Sequence, residues 1–204
     1  MQITEVLLAV SLGIGLAAAA GFRVFVPMFV MSLAAASGHL TLGPSMEWLG
    51  SPLACVILGV ATAVEIAAFY VPWVDNALDA LASPGAVVAG SIVAAAATSQ
   101  VISMDPAMHW TIGIIAGGGT AGVIQATTVA TRAASTLVSG GVTNPVVSTV
   151  EVAAASTLSI VAIILPALAA IVVLAVFVYA IRRWTRRRTP EVDAPAEPTS
   201  IPSL

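Results

Sequence analysis

Six apolar runs, at 3–37, 51–71, 84–103, 109–137, 146–165 and 166–184, alternate with short polar stretches along the chain. A bilayer-crossing helix needs about 20 apolar residues, so each run predicts a crossing. Together they predict an all-α integral membrane bundle of about six transmembrane segments. The count rises to as many as eight if the two longest runs, 3–37 and 109–137, each cross twice. Both runs exceed one upright crossing, and both carry glycine at the centre: Gly21 in the first, and Gly117, Gly118, Gly119 and Gly122 in the second. They are expected as glycine-broken or strongly tilted helices. The last two runs meet without a polar loop at Pro166. A tight hairpin is expected there, because 146–184 is too long for a single crossing.

Two stretches depart from this pattern. In "VPWVDNALDALASP" (71–84), Val74, Leu78 and Leu81 share one helical face, and Asp75 and Asp79 stand four apart on another. That spacing predicts a short amphipathic helix in the membrane interface, with the two aspartates on its solvated face or at an entry point for cations or protons. After residue 181 comes "RRWTRRR" (182–188), directly behind an apolar span. Arginine in that position places the C-terminus in the cytoplasm, and contact with anionic headgroups is compatible with the same role. The sequence is thus divided into a polytopic domain over 1–185, with halves 5–103 and 109–184, and a Pro-rich acidic tail over 186–204 expected to be disordered.

Composition agrees with a lipid-embedded chain. Of 204 residues, 59% are hydrophobic and only 8% are charged, and the mean hydropathy is +1.04. A soluble domain carries about 25% charged residues, so this chain lacks the polar surface to face water. The apolar runs are too long for the ~10-residue alternating strands of a membrane barrel, whereas abundant Ala, Gly and Ser suit close helix packing. The single cysteine, Cys55, excludes an internal disulfide and a cysteine-based metal site. The N-terminus has Glu5 where a cleaved signal would carry basic residues, and reads as the start of the first span. A bacterial-type cytoplasmic membrane is the expected location. The partners expected are the bilayer and a small solute or ion, without nucleic acid, metal or cofactor, and a homo-oligomer is compatible with this.

A repeat is visible at low identity. Residues 20–38 align with 121–139, and 51–72 with 144–165, the change of offset matching a shorter loop at "SGGVTNP". Two related three-helix halves follow, and an odd number of crossings per half would invert one against the other.

Four charged residues fall within the spans: Arg23, Glu65, Arg132 and Glu151. A charge at the bilayer centre costs about 2.5–3.5 kcal/mol on insertion scales, so it usually faces a partner or a hydrated cavity. The repeat does not superpose them, since Arg23 falls on Ile124 and Glu65 on Leu158. Three roles compete: Arg–Glu pairs that hold the bundle together, a binding or translocation site, and intramembrane catalysis. No HExxH, GxSxG, Cys–His or paired-Asp motif supports the third. Polar neighbours favour a site: Thr62 and Ser148 stand one turn before the two glutamates, and Gln125, Thr127, Thr128 and Thr131 precede Arg132. Hydroxyls can equally serve the backbone of a bent membrane helix. "IIAGGGTAG" (114–122) lacks the Lys-Ser/Thr of a phosphate loop and reads as a helix break or close-packing site. His39, His109, Trp48, Trp73 and Trp110 read as capping or interface residues.

At "AAAAGFRVFVP", "VPWVDNALDALASPGAVVAG" and "NPVVSTVE" the chain resembles the domain of unknown function 4126 family of small multi-pass membrane proteins, over most of 5–183. The resemblance marks Gly21, Phe22, Arg23 and Pro27, then Glu65, Asp75 and Asp79, then Asn144, Pro145 and Glu151. The family pattern has an Asp-Lys pair before the turn and an acidic pair at Glu151, where this chain has Phe69-Tyr70 and Glu151-Val152. The resemblance implies the membrane class and no activity. The function expected from the residues is a transporter or permease for a small polar solute or ion rather than an enzyme, with Arg23, Glu65, Arg132, Asn144 and Glu151 as the site. The alternative is a membrane scaffold or partner subunit whose ion pairs are structural.

Overall fold

A computed structural model of the protein describes residues 3–71, 74–101 and 104–187, without the side chains of 75–77, 184, 186 and 187. The Asp75 side chain, Trp73, the Trp184 side chain and the tail after residue 187 therefore lie outside the described residues. The elements are α1 (Ile3–Phe22), α2 (Phe25–Ala36), α3 (Pro52–Ala68), α4 (Val74–Ser99), α5 (Pro106–Ile112), a π-helical segment (Gly113–Gly118), α6 (Gly119–Ser139), α7 (Asn144–Ile164) and α8 (Pro166–Arg187), and a 3₁₀ turn (Glu47–Gly50) precedes α3. No strand occurs among the described residues. Five helical runs are long and apolar enough to cross a membrane, while α2 and α3 are shorter. The protein is a multi-pass α-helical membrane protein. Its contacts divide it into a bundle up to Val173 and a second unit from Leu174. Within the second unit, the described residues continue α8 and Arg183 donates to the Tyr179 hydroxyl at 3.1 Å.

The first long run breaks where the sequence dictates. Pro27 has no N–H to donate to the Arg23 carbonyl, and its ring would crowd that oxygen in a continuous helix. So α1 ends at Phe22, α2 starts at Phe25, and Arg23 and Val24 form the corner. From this corner α2 and α3 make a helical hairpin: Gly50 packs on Ala35, Gly59 packs on the Phe29 ring, and the far end of α3 returns to Val24 and Phe25. At the tip of the hairpin Gly38 adopts φ +75, a left-handed conformation that glycine reaches without a Cβ penalty.

The second long run does not break. The expected interruption at Gly117–Gly119 is instead a π-helical segment joining α5 to α6 in one helical run, Pro106–Ser139. The glycines serve contact rather than bending: the Gly117 backbone lies against the Gly90 carbonyl and Ala94, and Gly113 lies against Ala95 and the Ser91 carbonyl. Gly13 on Ala94 and Gly15 on Ala162 and Ala169 bring α4, α7 and the start of α8 equally close to α1. Without a hydrophobic drive between helices in lipid, such backbone approach is a main source of cohesion.

One further expectation is corrected. The interfacial helix foreseen over 71–84 is fused to the next span as the single helix α4, with Pro84 inside it. At Pro166, where a tight hairpin was expected, a one-residue corner, Leu165 at φ −134 and ψ 68, separates α7 from α8. The aligned repeat segments also differ: 20–38 contains the α1–α2 corner, whereas 121–139 lies within uninterrupted α6. The segments 51–72 and 144–165 do share a helix start with proline at its first turn.

Candidate functional site

Helices α3, α6 and α7 turn polar stripes inward. The buried positions on α6 are Ala121, Gln125, Thr128 and Arg132, and on α7 they are Asn144, Ser148, Glu151, Ala155, Ser159 and Ala162. Both sets recur at three- and four-residue steps, which is one helix face. On α3 the same face runs Ala54, Leu58, Thr62, Glu65, and one turn later Phe69. The opposite faces carry exposed Val56, Val60, Val64, Val146, Val150 and Ile160, as expected of helices with lipid outside and polar groups inside.

The inward stripes meet at the α1–α2 corner. Arg23, 1% exposed, donates through Nη2 to the Ser148 carbonyl at 3.2 Å and pairs with Glu151 Oε2 at 3.0 Å. Arg132, 2% exposed, grips the same carboxylate with two atoms, Nε to Oε1 at 3.1 Å and Nη2 to Oε2. Its Nη1 lies 3.6 Å from Asp79 Oδ1. Glu151 is thus the shared counterion of two guanidiniums, one bound in the planar bidentate mode that arginine favours. Both guanidiniums also lie over the Phe69 ring, with their central carbons 4.0 Å and 4.2 Å from its centroid. The electron-rich ring face attracts cations, so Phe69 helps to hold two like charges in one small volume.

Glu65 plays a different part. Its oxygens accept the backbone N–H groups of Val24 at 2.7 Å and Phe25 at 3.0 Å. These donors start α2 and have no carbonyl a turn earlier to bond. A carboxylate from α3 therefore caps α2 across the hairpin, with the sign that the helix dipole favours. Glu65 remains within the electrostatic reach of Arg23 and Arg132.

The expected site is largely assembled. Arg23, Arg132 and Glu151 are in direct contact, Glu65 is beside them as a cap, and Asp79 belongs to the cluster. The solvated face expected for Asp79 is corrected: its side chain is only 13% exposed and faces Arg132. The fusion of α4 through Pro84 is what carries it into the bundle. Asn144 lies about two turns from Glu151 on α7 and donates to Thr136 Oγ1 at 3.1 Å, tying the α6–α7 corner. Sequence reasoning missed Phe69, although a residue four after Glu65 on the same helical face was a readable signal. The chain's departure from the family pattern at Phe69-Tyr70 places an aromatic ring against both guanidiniums.

The cluster is not saturated with hydrogen bonds. Among the described residues, Arg23 Nε and Nη1 are buried without an acceptor, Arg132 Nη1 has the 3.6 Å ion pair with Asp79 but no hydrogen bond, and Thr62 Oγ1 is buried without a partner. A buried polar group left unbonded costs about 1–3 kcal/mol, and more when charged. These nitrogens are where a polar guest would gain most.

The family model described as Domain of unknown function (DUF4126) matches residues 10–186. No curated protein and no solved structure matches the chain.

Proposed function

The chain belongs to the DUF4126 family, and we propose that it is a transporter or permease for a small polar solute or ion that passes through the Arg23–Arg132–Glu151 cluster. The observation that carries this reading is the pair of acceptor-less guanidinium nitrogens on Arg23, Nε and Nη1, held at the corner of a broken helix inside the bundle. Broken helices at membrane depth are tolerated where they are buried in protein or line a hydrated cavity. Helix interruptions in transporters serve ion and solute sites. Arginine offers a fixed fork for acceptor oxygens, so the favoured solute carries a carboxylate or another oxyanion, or neutral oxygen acceptors.

A scaffold reading draws on the same cluster: Glu151 is bonded to both arginines and Glu65 is engaged as a helix cap. Arg23→Lys separates the two. Lysine keeps the positive charge for Glu151 but presents no second guanidinium nitrogen. Proteoliposomes containing the wild-type protein are expected to swell faster than empty liposomes in at least one of formate, nitrate, urea and glycerol. Arg23→Lys is expected to lower that excess rate about tenfold, the loss of one charge-assisted hydrogen bond, with an unchanged melting temperature. Equal swelling of Arg23→Lys and wild type, or no solute faster than the empty control, favours the scaffold.

A further inference from the structure

The turn that closes α3, residues 69–71, covers the cluster with one residue and ties itself to α7 with the next. The N–H groups of Phe69, Tyr70 and Val71 donate back to the carbonyls of Glu65, Ala67 and Ala68, so the helix tightens as it ends. Phe69 points inward, 4% exposed, with its ring over both guanidiniums. Tyr70 points outward, 42% exposed, and its hydroxyl lies 2.8 Å from Thr149 Oγ1 on α7. The direction of that bond follows from valence. Thr149 gives its single proton to the Pro145 carbonyl at 2.8 Å, so Tyr70 is the donor. Beside it, the Ser148 hydroxyl points to the Phe69 carbonyl at 3.4 Å, and the Ser148 carbonyl accepts from Arg23. Two successive residues of the turn therefore meet two successive residues of α7, the inner pair on the cluster and the outer pair at the surface.

We propose that this turn is the gate of the cluster, with the Tyr70–Thr149 bond as its latch and the Phe69 ring as its lid. The inference rests on the solute reading above and adds where the cluster opens. Three observations support it. First, the lid touches the guanidiniums through their faces, with the central carbons 4.0 Å and 4.2 Å from the ring. Their edges carry the directional bonds to Glu151 and Ser148. Swinging the ring aside therefore breaks none of the cluster's ion pairs. Second, the latch is a single neutral hydrogen bond at an exposed position, a modest tie that thermal motion can open. Third, polar groups continue from the cluster toward the start of α7: Ser148, then Asn144 bonded to Thr136, then Thr143 within hydrogen-bond distance of the Ser135 and Ser139 hydroxyls. In the other direction from Arg23, α1 places Leu12, Leu16, Ala17 and Ala20 in the apolar core. Desolvation opposes a polar species there, and the hydroxyls at the turn favour one.

Tyr70→Phe removes the latch and leaves Thr149 its bond to Pro145, so the variant is expected to melt with wild type. Two rates are measured in sealed proteoliposomes of the full chain. One is modification of an S148C thiol, in a C55S background, by a small anionic methanethiosulfonate. The other is swelling of the Ser148 protein in formate, nitrate, urea and glycerol. Tyr70→Phe is expected to raise the modification rate about fivefold, the factor one neutral hydrogen bond contributes to an opening equilibrium. It is also expected to raise swelling in the solute that wild type passes. Faster modification without protein-dependent swelling in any solute keeps the gate and removes the transport reading. A modification rate indifferent to Tyr70→Phe overturns the gate and leaves the turn as a fixed cover. If wild type still swells in that case, transport stands and the cluster opens elsewhere.

Discussion

Glu151→Ala is expected to destabilise the bundle by about 3–5 kcal/mol, the range for stripping one partner from a buried ion pair. Glu151 is the counterion of both Arg23 and Arg132, and it is 4% exposed. Without it, two guanidiniums that share one aromatic ring would face each other in an apolar medium, with Asp79 near Arg132 and Glu65 engaged as the α2 cap. Repulsion and the lost hydrogen bonds act in the same direction. Arg23→Ala is a milder change, since Glu151 keeps its two-atom contact with Arg132. Thermal unfolding in a mild detergent checks the order: Glu151→Ala well below Arg23→Ala, and Arg23→Ala below wild type. Removing Arg23 from the Glu151→Ala background is expected to return part of the loss. A Glu151→Ala protein that melts with wild type would mean the cluster is hydrated enough to leave charges unpaired at no cost.

The second large effect lies in the glycine contacts. A Cβ at Gly117 would collide with the Gly90 carbonyl and approach Ala94 Cβ to 2.5 Å, while a Cβ at Gly90 would meet the Gly117 carbonyl at 2.8 Å. Both obstacles are backbone or the first side-chain atom, so no rotamer change relieves them and the helices must separate. Overpacking typically costs about 1–3 kcal/mol, and Gly117→Leu is expected at or beyond the upper end. Gly119→Leu is the internal control, because a Cβ there meets nothing within 4 Å. Size-exclusion profiles and melting curves should show Gly117→Leu aggregated or strongly destabilised and Gly119→Leu like wild type. Similar behaviour of the two variants would refute close packing of α4 on the π-helical segment as a determinant of the fold.

Much of this architecture was legible in the sequence, and the exceptions have physical causes. The long apolar runs gave the spans, and the break of the first was expected at Gly21; it falls two residues on, at Arg23–Val24, because the missing N–H of Pro27 acts four residues upstream. Proline and a polar residue marked the starts of α3 and α7. The continuity through Gly117–Gly119 was not legible. Glycine permits both a break and a close approach, and the choice depends on Gly90 and Ala94, which are distant in sequence. Pro84 misled for a related reason: a proline in a membrane helix persists when its surroundings compensate. The charged residues were identifiable one by one, since each is rare in its span. Their pairing was not, because Glu65 bonds to backbone N–H groups that any residue type supplies. Asp79 enters the cluster only through the fused α4.

Passage of a solute through the arginine–glutamate cluster requires that the cluster be open to small polar species. Chemical access to Ser148 tests it most directly, because this fully buried residue places its carbonyl on Arg23 and its hydroxyl toward the Phe69 carbonyl. Cys55 is the single native cysteine, so S148C in a C55S background carries one reporter thiol of nearly native size. In sealed proteoliposomes, a small anionic methanethiosulfonate is expected to modify that thiol from at least one face, and faster than its cationic analogue, because the acceptor-less guanidinium nitrogens draw negative charge. A folded S148C protein that neither reagent modifies from either face would contradict the claim and mark the cluster as a dry structural ion pair.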